Sequence, residues 1–383
     1  MDFTLTPEQE LIRASAREFV EREVAPHTRE WDRAEGMDRS IVGKLAEVGF
    51  LGAVLPEEYG GMGLDTVSYC LLMEELGRGD SSVRGIVSVN LGLVGKTLVR
   101  WGTDEQKREW LPRLASGEAL GCYALTEPGS GSDPASLTAR AERDGDEWVL
   151  SGSKLFITLG TWAGLALVFA RTGGTGARGI SCFLVPTNSR GFTAHELKGK
   201  LGLRAQDTGE LFLDGVRVPD VGRLGAEGDG FKVAMSALDD GRISLAAGCV
   251  GIAQACLDAC RAYASERRQF GKPIASFQLV QELIADIAVD TEAARLLAWR
   301  AAALADAGER RTLESSVAKY FASEAAVRAA NAAVQVHGGY GYVDEYPVGK
   351  YLRDARVTTL YEGTSQIQKL IIGRALTGES AFV

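Results

Sequence analysis

Metal chemistry has little to work with in this sequence. Three histidines occur among 383 residues, and the six cysteines are scattered without a CxxC spacing. Cys249, Cys256 and Cys260 share one face of a predicted helix, but no histidine lies near them. They read as small hydrophobes of a reduced core, so no metal site is assigned, and the scatter also argues against disulfides. Basic charge is short as well: 42 Lys and Arg stand against 51 Asp and Glu, a net charge of −9. That balance argues against nucleic acid and anionic membranes as partners, while leaving room for a local basic pocket around a phosphorylated ligand. The start, Met1-Asp2-Phe3-Thr4, has neither a basic n-region nor an apolar h-region. The apolar stretch from Leu245 to Leu257 is broken by glycines and Gln254 and is too short to span a bilayer. Internal repeats and low-complexity linkers are missing. A soluble, cytoplasmic protein is expected.

What is present is an ordinary globular composition, 45% hydrophobic and 24% charged, in a chain long enough for two or three domains. Thr6-Pro7-Glu8-Gln9 reads as an N-cap, a proline at the first helical position and a capping-box glutamine. Leu11, Ile12, Ala16, Phe19, Val20 and Val24 then mark an apolar helical face that Pro26 ends. The helical texture lasts to about residue 121. From 122 to about 230, short runs such as Leu165 to Ala170 and Ile180 to Val185 are separated by Gly, Asp and Pro, which predicts an antiparallel β-domain. Long Ala- and Leu-rich helical patterns near 231–264, 277–307 and 312–337 follow, and with a terminal helix they predict a bundle. The expected domains are residues 1–121, 122–230 and 231–383.

Near the C-terminus, Leu360-Tyr361-Glu362-Gly363-Thr364-Ser365-Gln366-Ile367-Gln368 sets one carboxylate between an aromatic residue and a glycine, just before a helical pattern. Thr364 or Ser365 is placed to cap that helix. Glu362 has two readings on these residues alone: a solvated turn glutamate favoured by a helix dipole, or a base that stands close to a flat ligand. Gly174-Thr175-Gly176-Ala177-Arg178-Gly179 matches the GxGxxG dinucleotide fingerprint. It falls between two strand-like runs rather than between a strand and a helix, so it predicts a hairpin loop without a cofactor role.

Three stretches occur together: Tyr123-Ala124-Leu125-Thr126-Glu127-Pro128-Gly129-Ser130-Gly131-Ser132-Asp133, Glu266-Arg267-Arg268-Gln269-Phe270-Gly271-Lys272-Pro273, and the Tyr361-Glu362-Gly363-Thr364 segment. Their sequence and order resemble the acyl-CoA dehydrogenases, and the resemblance covers nearly the whole chain. It implies an α+β fold: an N-terminal helical domain, a middle antiparallel β-barrel and a C-terminal four-helix bundle. It implies FAD as cofactor, an electron-transfer flavoprotein as partner, and a homotetramer. Tyr123, Leu125, Thr126, Gly131 and Ser132 would neighbour the flavin, as would Phe156, Ile157 and Thr158 of the run that begins at Lys154. Arg267, Phe270 and Gln278 would reach the FAD of a neighbouring subunit. Gln335, Gly338 and Gly339 would close over its adenosine part, and Thr364 and Gln366 would also contact the cofactor. Ser132, Arg242 and Gly363 would touch the acyl-CoA substrate. The family places its base at one of two positions. One corresponds to Gly241, which cannot act, and Asp239 and Asp240 sit off the pattern, so Glu362 is the candidate catalytic residue.

The implied reaction removes an α-proton from an acyl-CoA and a hydride from its β-carbon, leaving the trans-2-enoyl thioester. Arg84 and Ser88, four apart on a predicted helix, match residues that bind a distal carboxylate in the glutaryl-CoA dehydrogenase branch. Gly77 stands where that branch has a glutamate. An Arg84 that faces solvent or pairs with Asp80 or Glu75 is the other reading. Further alternatives are a carrier-protein-tethered acyl substrate, an oxygen-using oxidase, and a non-catalytic FAD- or acyl-CoA-binding relative.

Overall fold

A computed structural model of the chain describes residues 4–382. Met1, Asp2 and Phe3, part of the stretch read for a secretory signal, lie outside the described residues. The N-terminal helices are α1 (Pro7–Phe19), α2 (Thr28–Ala34), α3 (Ser40–Glu47), α4 (Thr66–Gly79), α5 (Ser81–Val87), α6 (Lys96–Trp101) and α7 (Asp104–Ala115). Thr6 caps α1 with Gln9 completing the capping box, as the sequence predicts. Two details differ. Leu11 is exposed rather than part of the buried face, and the chain passes Pro26 through a π-turn and a 3₁₀ turn before α2. Asp80 caps α5, its carboxylate accepting from the Ser82 N–H. A π-helical segment, Ser88–Gly95, then carries the chain on to α6.

The middle region holds β1 (Gly121–Ala124), β2 (Arg140–Asp144), β3 (Glu147–Thr158), β4 (Leu165–Arg171), β5 (Ile180–Pro186), β6 (Phe192–Glu196), β7 (Thr208–Pro219) and β8 (Arg223–Leu224). The ladder runs β6-β7-β3-β2-β4-β5-β8, with β1 added beside β4. Two pairings correct the antiparallel expectation: β1 and β2 both lie parallel to β4. β1 enters directly from the helical region, so no hairpin sets its direction. The path has two ends, and a closed barrel does not emerge from it. Strand periodicity reports which face of a strand is buried, not the direction of its neighbour or the closure of a sheet.

The C-terminal region is α8 (Gly230–Glu266), the short pair β9 (Arg268–Gln269) and β10 (Lys272–Pro273), then α9 (Gln278–Asp306), α10 (Thr312–His337), α11 (Val348–Thr358) and α12 (Ser365–Thr377). α8, α9 and α10 pack on one another and α12 packs on α10. α8 also packs along α4, so the bundle shares its long central helix with the N-terminal region. By length and composition α8 could cross a membrane, contrary to the reading of its apolar stretch as too short, but 78% of its most apolar window is buried inside the protein. It is the core helix of the fold.

Glycines let α8 approach its neighbours. A Cβ at Gly77 of α4 would overlap the carbonyl oxygen of Gly248 on α8, and one at Gly251 would overlap that of Glu74. A buried charge triad joins all three regions. Lys350 Nζ lies 3.0 Å from Asp80 and 2.5 Å from Asp354, whose other oxygen accepts from the Leu203 N–H at 2.7 Å. The two flanking carboxylates hold the Lys350 ammonium well above its ordinary range.

Candidate active site

The chain from β1 into the glycine-rich turn is tied down from below. Glu127 and Ser130 close the turn with reciprocal backbone hydrogen bonds of 2.9 and 3.1 Å. The buried Glu127 carboxylate accepts from Lys154 Nζ at 2.7 Å and from the backbone of Thr138 and Ala139. Burial pushes the Lys154 ammonium down to about 8 despite that partner. The register of β3 against β7 slips between Lys154 and Ile157, and the Leu155 N–H bonds the Thr126 carbonyl instead. This bulge turns Phe156 to a φ of +60° and leaves its ring 67% exposed. Thr158 Oγ1 accepts from Gln206 at 3.1 Å.

These residues form one wall of a cavity of about 890 Å³. Tyr123, Leu125, Thr126, Gly131, Ser132, Phe156, Ile157 and Thr158 all line it. Much of the rest of the lining comes from helical segments and from the turn before α12. It contains Arg84 and Ser88, Asp239 and Arg242 of α8, and Tyr361, Glu362 and Gly363. The cavity therefore gathers strand, turn and helix residues that lie far apart in the chain.

Glu362 sits in this wall with a φ of +54°, a left-handed conformation uncommon for a residue with a side chain. Its Oε2 is buried with no hydrogen-bond partner among the described residues. Burial raises its pKa, opposed by the positive charges of Arg84, Lys319 and Arg242. The solvated-turn reading is thereby set aside. Thr364, not Ser365, caps α12, accepting from the Ile367 N–H. Gly241 is part of the same construction, because a Cβ there would overlap Glu362 Oε2. The two aspartates beside it are occupied elsewhere. Asp239 pairs with Arg242 at 2.8 Å and accepts from Thr312, while Asp240 pairs with Arg311.

Arg84 does not face solvent. It is 3% exposed, and its guanidinium donates to Tyr361 Oη at 2.9 Å. Asp80 and Glu75 are paired with Lys350 and with Arg17 and Arg78. Gly248 makes room for the arginine, since a Cβ there would overlap its Cδ. Ser88 Oγ shares a hydrogen bond with Ser244 Oγ at 3.0 Å.

The remaining cofactor candidates lie apart. Arg267, Gly338 and Gly339 line a second cavity of about 600 Å³, where the Arg267 guanidinium lies over the Tyr340 ring. Phe270, Gln278, Gln335 and Gln366 are exposed, Phe270 at 93%. None of these four, nor Thr364, is part of either cavity wall. His337 is buried, with Nδ1 2.8 Å from the Ala333 carbonyl and its ring stacked on Tyr263. The Gly174 to Gly179 segment is the loop between β4 and β5, as expected, and Gly174 and Gly176 accept from the Arg171 guanidinium. Gln206 and Tyr361 line the cavity, Lys319 and Gln368 bond the Glu362–Gly363 turn from behind it, and all four escape a sequence reading. Only Tyr361 carried a signal, through its place beside Glu362.

Comparison with known proteins fits this geometry. Three domain models of the acyl-CoA dehydrogenase family match in succession: the N-terminal domain over residues 6–118, the middle domain over 122–216 and the C-terminal domain over 228–377. The chain belongs to the acyl-CoA dehydrogenase family. It is 43% identical over 364 residues to the mitochondrial short-chain specific acyl-CoA dehydrogenase of Rattus norvegicus, covering 95% of this chain and 88% of the relative. It is 42% identical over 380 residues to the glutaryl-CoA dehydrogenase of Desulfococcus multivorans, covering 97% of each. A solved structure described for the electron transferring flavoprotein of Acidaminococcus fermentans superposes with a TM-score of 0.97 at 42% identity, over 99% of this chain and 100% of the other. The protein is thus an FAD-dependent oxidoreductase of CH–CH groups. Its cavity fits that cofactor: an exposed aromatic face at Phe156 and a tight glycine turn that brings Gly131 into the wall, with open space where its Cβ would stand.

If Gly241 exists to make room for the Glu362 carboxylate, Gly241→Ala should displace it. The expected outcome is a folded protein with FAD bound and flavin reduction slowed on the order of 100-fold, the cost of misplacing a reacting group by about 1 Å. Circular dichroism and anaerobic flavin bleaching check the two halves of that statement.

Proposed function

We propose that this acyl-CoA dehydrogenase oxidises an acyl-CoA thioester to the trans-2-enoyl-CoA, with Glu362 as the base and an electron-transfer flavoprotein as the acceptor. The observation that carries the base assignment is the buried, unpartnered Glu362 Oε2 in a wall of the cavity that also holds Phe156 and Thr158. Burial raises the carboxylate's affinity for a proton, which brings it closer to a thioester α-proton. Arg242 and Gln368 approach the Glu362 carbonyl at 3.5 and 3.2 Å and fix the peptide from behind. The Glu362 backbone N–H is assigned as donor to the thioester oxygen, where negative charge grows as the proton leaves. Thr126, Phe156, Ile157 and Thr158 would hold the FAD, which would supply the acceptor for the β-carbon hydride. The apolar side chains of Leu93, Phe231, Met235 and Ile367 line the same cavity and exclude water from the acyl chain.

A second reading concerns the acyl end. Arg84 is buried at the cavity wall and its cavity-side partner is a neutral phenol, not a carboxylate. An acyl group ending in a carboxylate would supply the missing anion. The polar network of a glutaryl-type pocket is incomplete, and position 77 has no space for a glutamate against Gly248. Oxidation without decarboxylation is therefore the form this reading takes.

Cofactor candidates line two separate cavities of one chain, and Phe270, Gln278, Gln335, Thr364 and Gln366 lie outside both. We infer that the Arg267 group serves the FAD of a second subunit, in a tetramer. Arg267→Ala should then lose FAD on gel filtration while keeping its helical content, and a wild-type monomer that holds FAD tightly would count against the arrangement.

Glu362→Gln should retain FAD and bind acyl-CoA, yet lose at least about 100-fold in flavin reduction, the scale of a lost general base. In the wild type the rate should climb with pH through a pKa above the ordinary carboxylate range, since the deprotonated form works and burial raises that pKa. Stopped-flow reduction across pH measures both.

For the acyl end, kcat/KM for glutaryl-CoA and butyryl-CoA in wild type and Arg84→Ala is decisive. Carboxylate recognition requires a wild-type preference for glutaryl-CoA that falls by about 10-fold or more on substitution, the worth of a charge-assisted hydrogen bond. A butyryl-CoA preference unchanged by the substitution leaves Arg84 as a packing residue.

A further inference from the structure

Behind the Glu362 turn lies a buried cation that touches neither cavity. Lys319, in the second turn of α10, is fully buried, and its Nζ donates to the Gly363 carbonyl at 2.7 Å. Gln368 of α12, also fully buried, donates from Nε2 to the carbonyls of both Glu362 and Gly363, at 3.2 and 3.1 Å. Further along α10, Glu324 accepts from Ser365 Oγ at 2.5 Å. Two helices thus grip the turn from Glu362 to Ser365 through its own polar atoms. Such a grip is needed, because a left-handed non-glycine residue is strained and persists only where its surroundings over-determine it.

We propose that Lys319 is a positioning residue for the reaction: it holds the Gly363 carbonyl, and with it the left-handed turn at Glu362 and Gly363, and sets a positive charge behind the base. The proposal rests on the reading of Glu362 as that base. Cys249 and Arg242 from α8, Glu324 from its own helix and Glu362 from the turn act electrostatically on the Lys319 ammonium. Burial outweighs the favourable ones and brings the ammonium down to about 8. In its protonated form its field favours the ionised Glu362 against the opposing effect of burial. A lysine that merely fills a helix interface would stabilise the fold without touching the base's ionisation. A lysine that positions the base moves two kinetic quantities together.

The test uses FAD-loaded protein and two readouts, anaerobic flavin reduction by butyryl-CoA and exchange of the butyryl-CoA α-proton with solvent deuterium by NMR. Each is followed across pH for wild type, Lys319→Met, Lys319→Gln and Glu362→Gln. Lys319→Met should slow both processes by about 10-fold or more with KM changed less than about threefold, and should move the acid limb upward by about one pH unit, as loss of a nearby charge does. Lys319→Gln keeps a donor for Gly363 without the charge, so it should recover part of the rate but retain the shifted limb. An acid limb and rate equal to wild type in both lysine variants overturn the proposal. If Lys319→Met fails to fold, an unshifted limb in Lys319→Gln is enough to do so. Activity surviving in Glu362→Gln would instead remove the base assignment itself, which keeps the two failures distinct.

Discussion

The Asp80–Lys350–Asp354 triad is the constraint on which the site's geometry depends. Each member belongs to an element with a further duty. Asp80 caps the helix that carries Arg84, Asp354 fixes the backbone at Leu203 in the middle region, and α11, which holds Lys350, leads directly into Tyr361 and Glu362. An ammonium buried there without a carboxylate would cost several kcal/mol, and so would the two carboxylates without Lys350, so the lysine is the member the other two cannot do without. A triad with fixed hydrogen-bond directions sets how the arginine, the base and the flavin wall face one another.

Around Glu362 the same economy of charge appears in a different form. Three cations, Arg84, Arg242 and Lys319, act on one buried carboxylate, yet none forms a hydrogen bond to its Oε2. A direct bond would satisfy the oxygen and spoil it as a base. Instead each cation is engaged elsewhere: Arg84 with Tyr361, Arg242 with Asp239 and Lys319 with a backbone carbonyl. The carboxylate therefore feels their field without being quenched by their contact. Burial and field act in opposite directions on its pKa, and burial is the larger.

Much of this was legible in the chain. The capping box at Thr6, the three long helices near 230–337, the strand-like middle and the hairpin nature of the Gly174 loop all follow from local pattern. The cavity residues from Tyr123 to Thr158 and from Tyr361 to Gly363 were found through motifs. The direction of β1 and β2 was not legible, because burial alternation is the same for parallel and antiparallel neighbours. Lys319 and Gln368 were missed for another reason. Each is an isolated polar residue in an ordinary helical run, and its meaning lies in which carbonyl it reaches across the fold. Phe156 shows the converse case, since its exposure depends on a bulge that no periodicity announces.

Arg84 and Gly248 have a relation that outlasts any single substrate. The arginine's stem occupies the volume that a side chain at 248 would fill, and Gly77 stands against the same glycine from the other side. The two positions are one character written in two places. A chain that trades Arg84 for a small residue opens a void that a larger residue at 248 can fill, and a chain that gains bulk at 248 must first give up the arginine. Descendants of such an enzyme would thus change the chemistry at the end of the acyl pocket by paired steps, in a fixed order, and single changes at either site would mostly be lost.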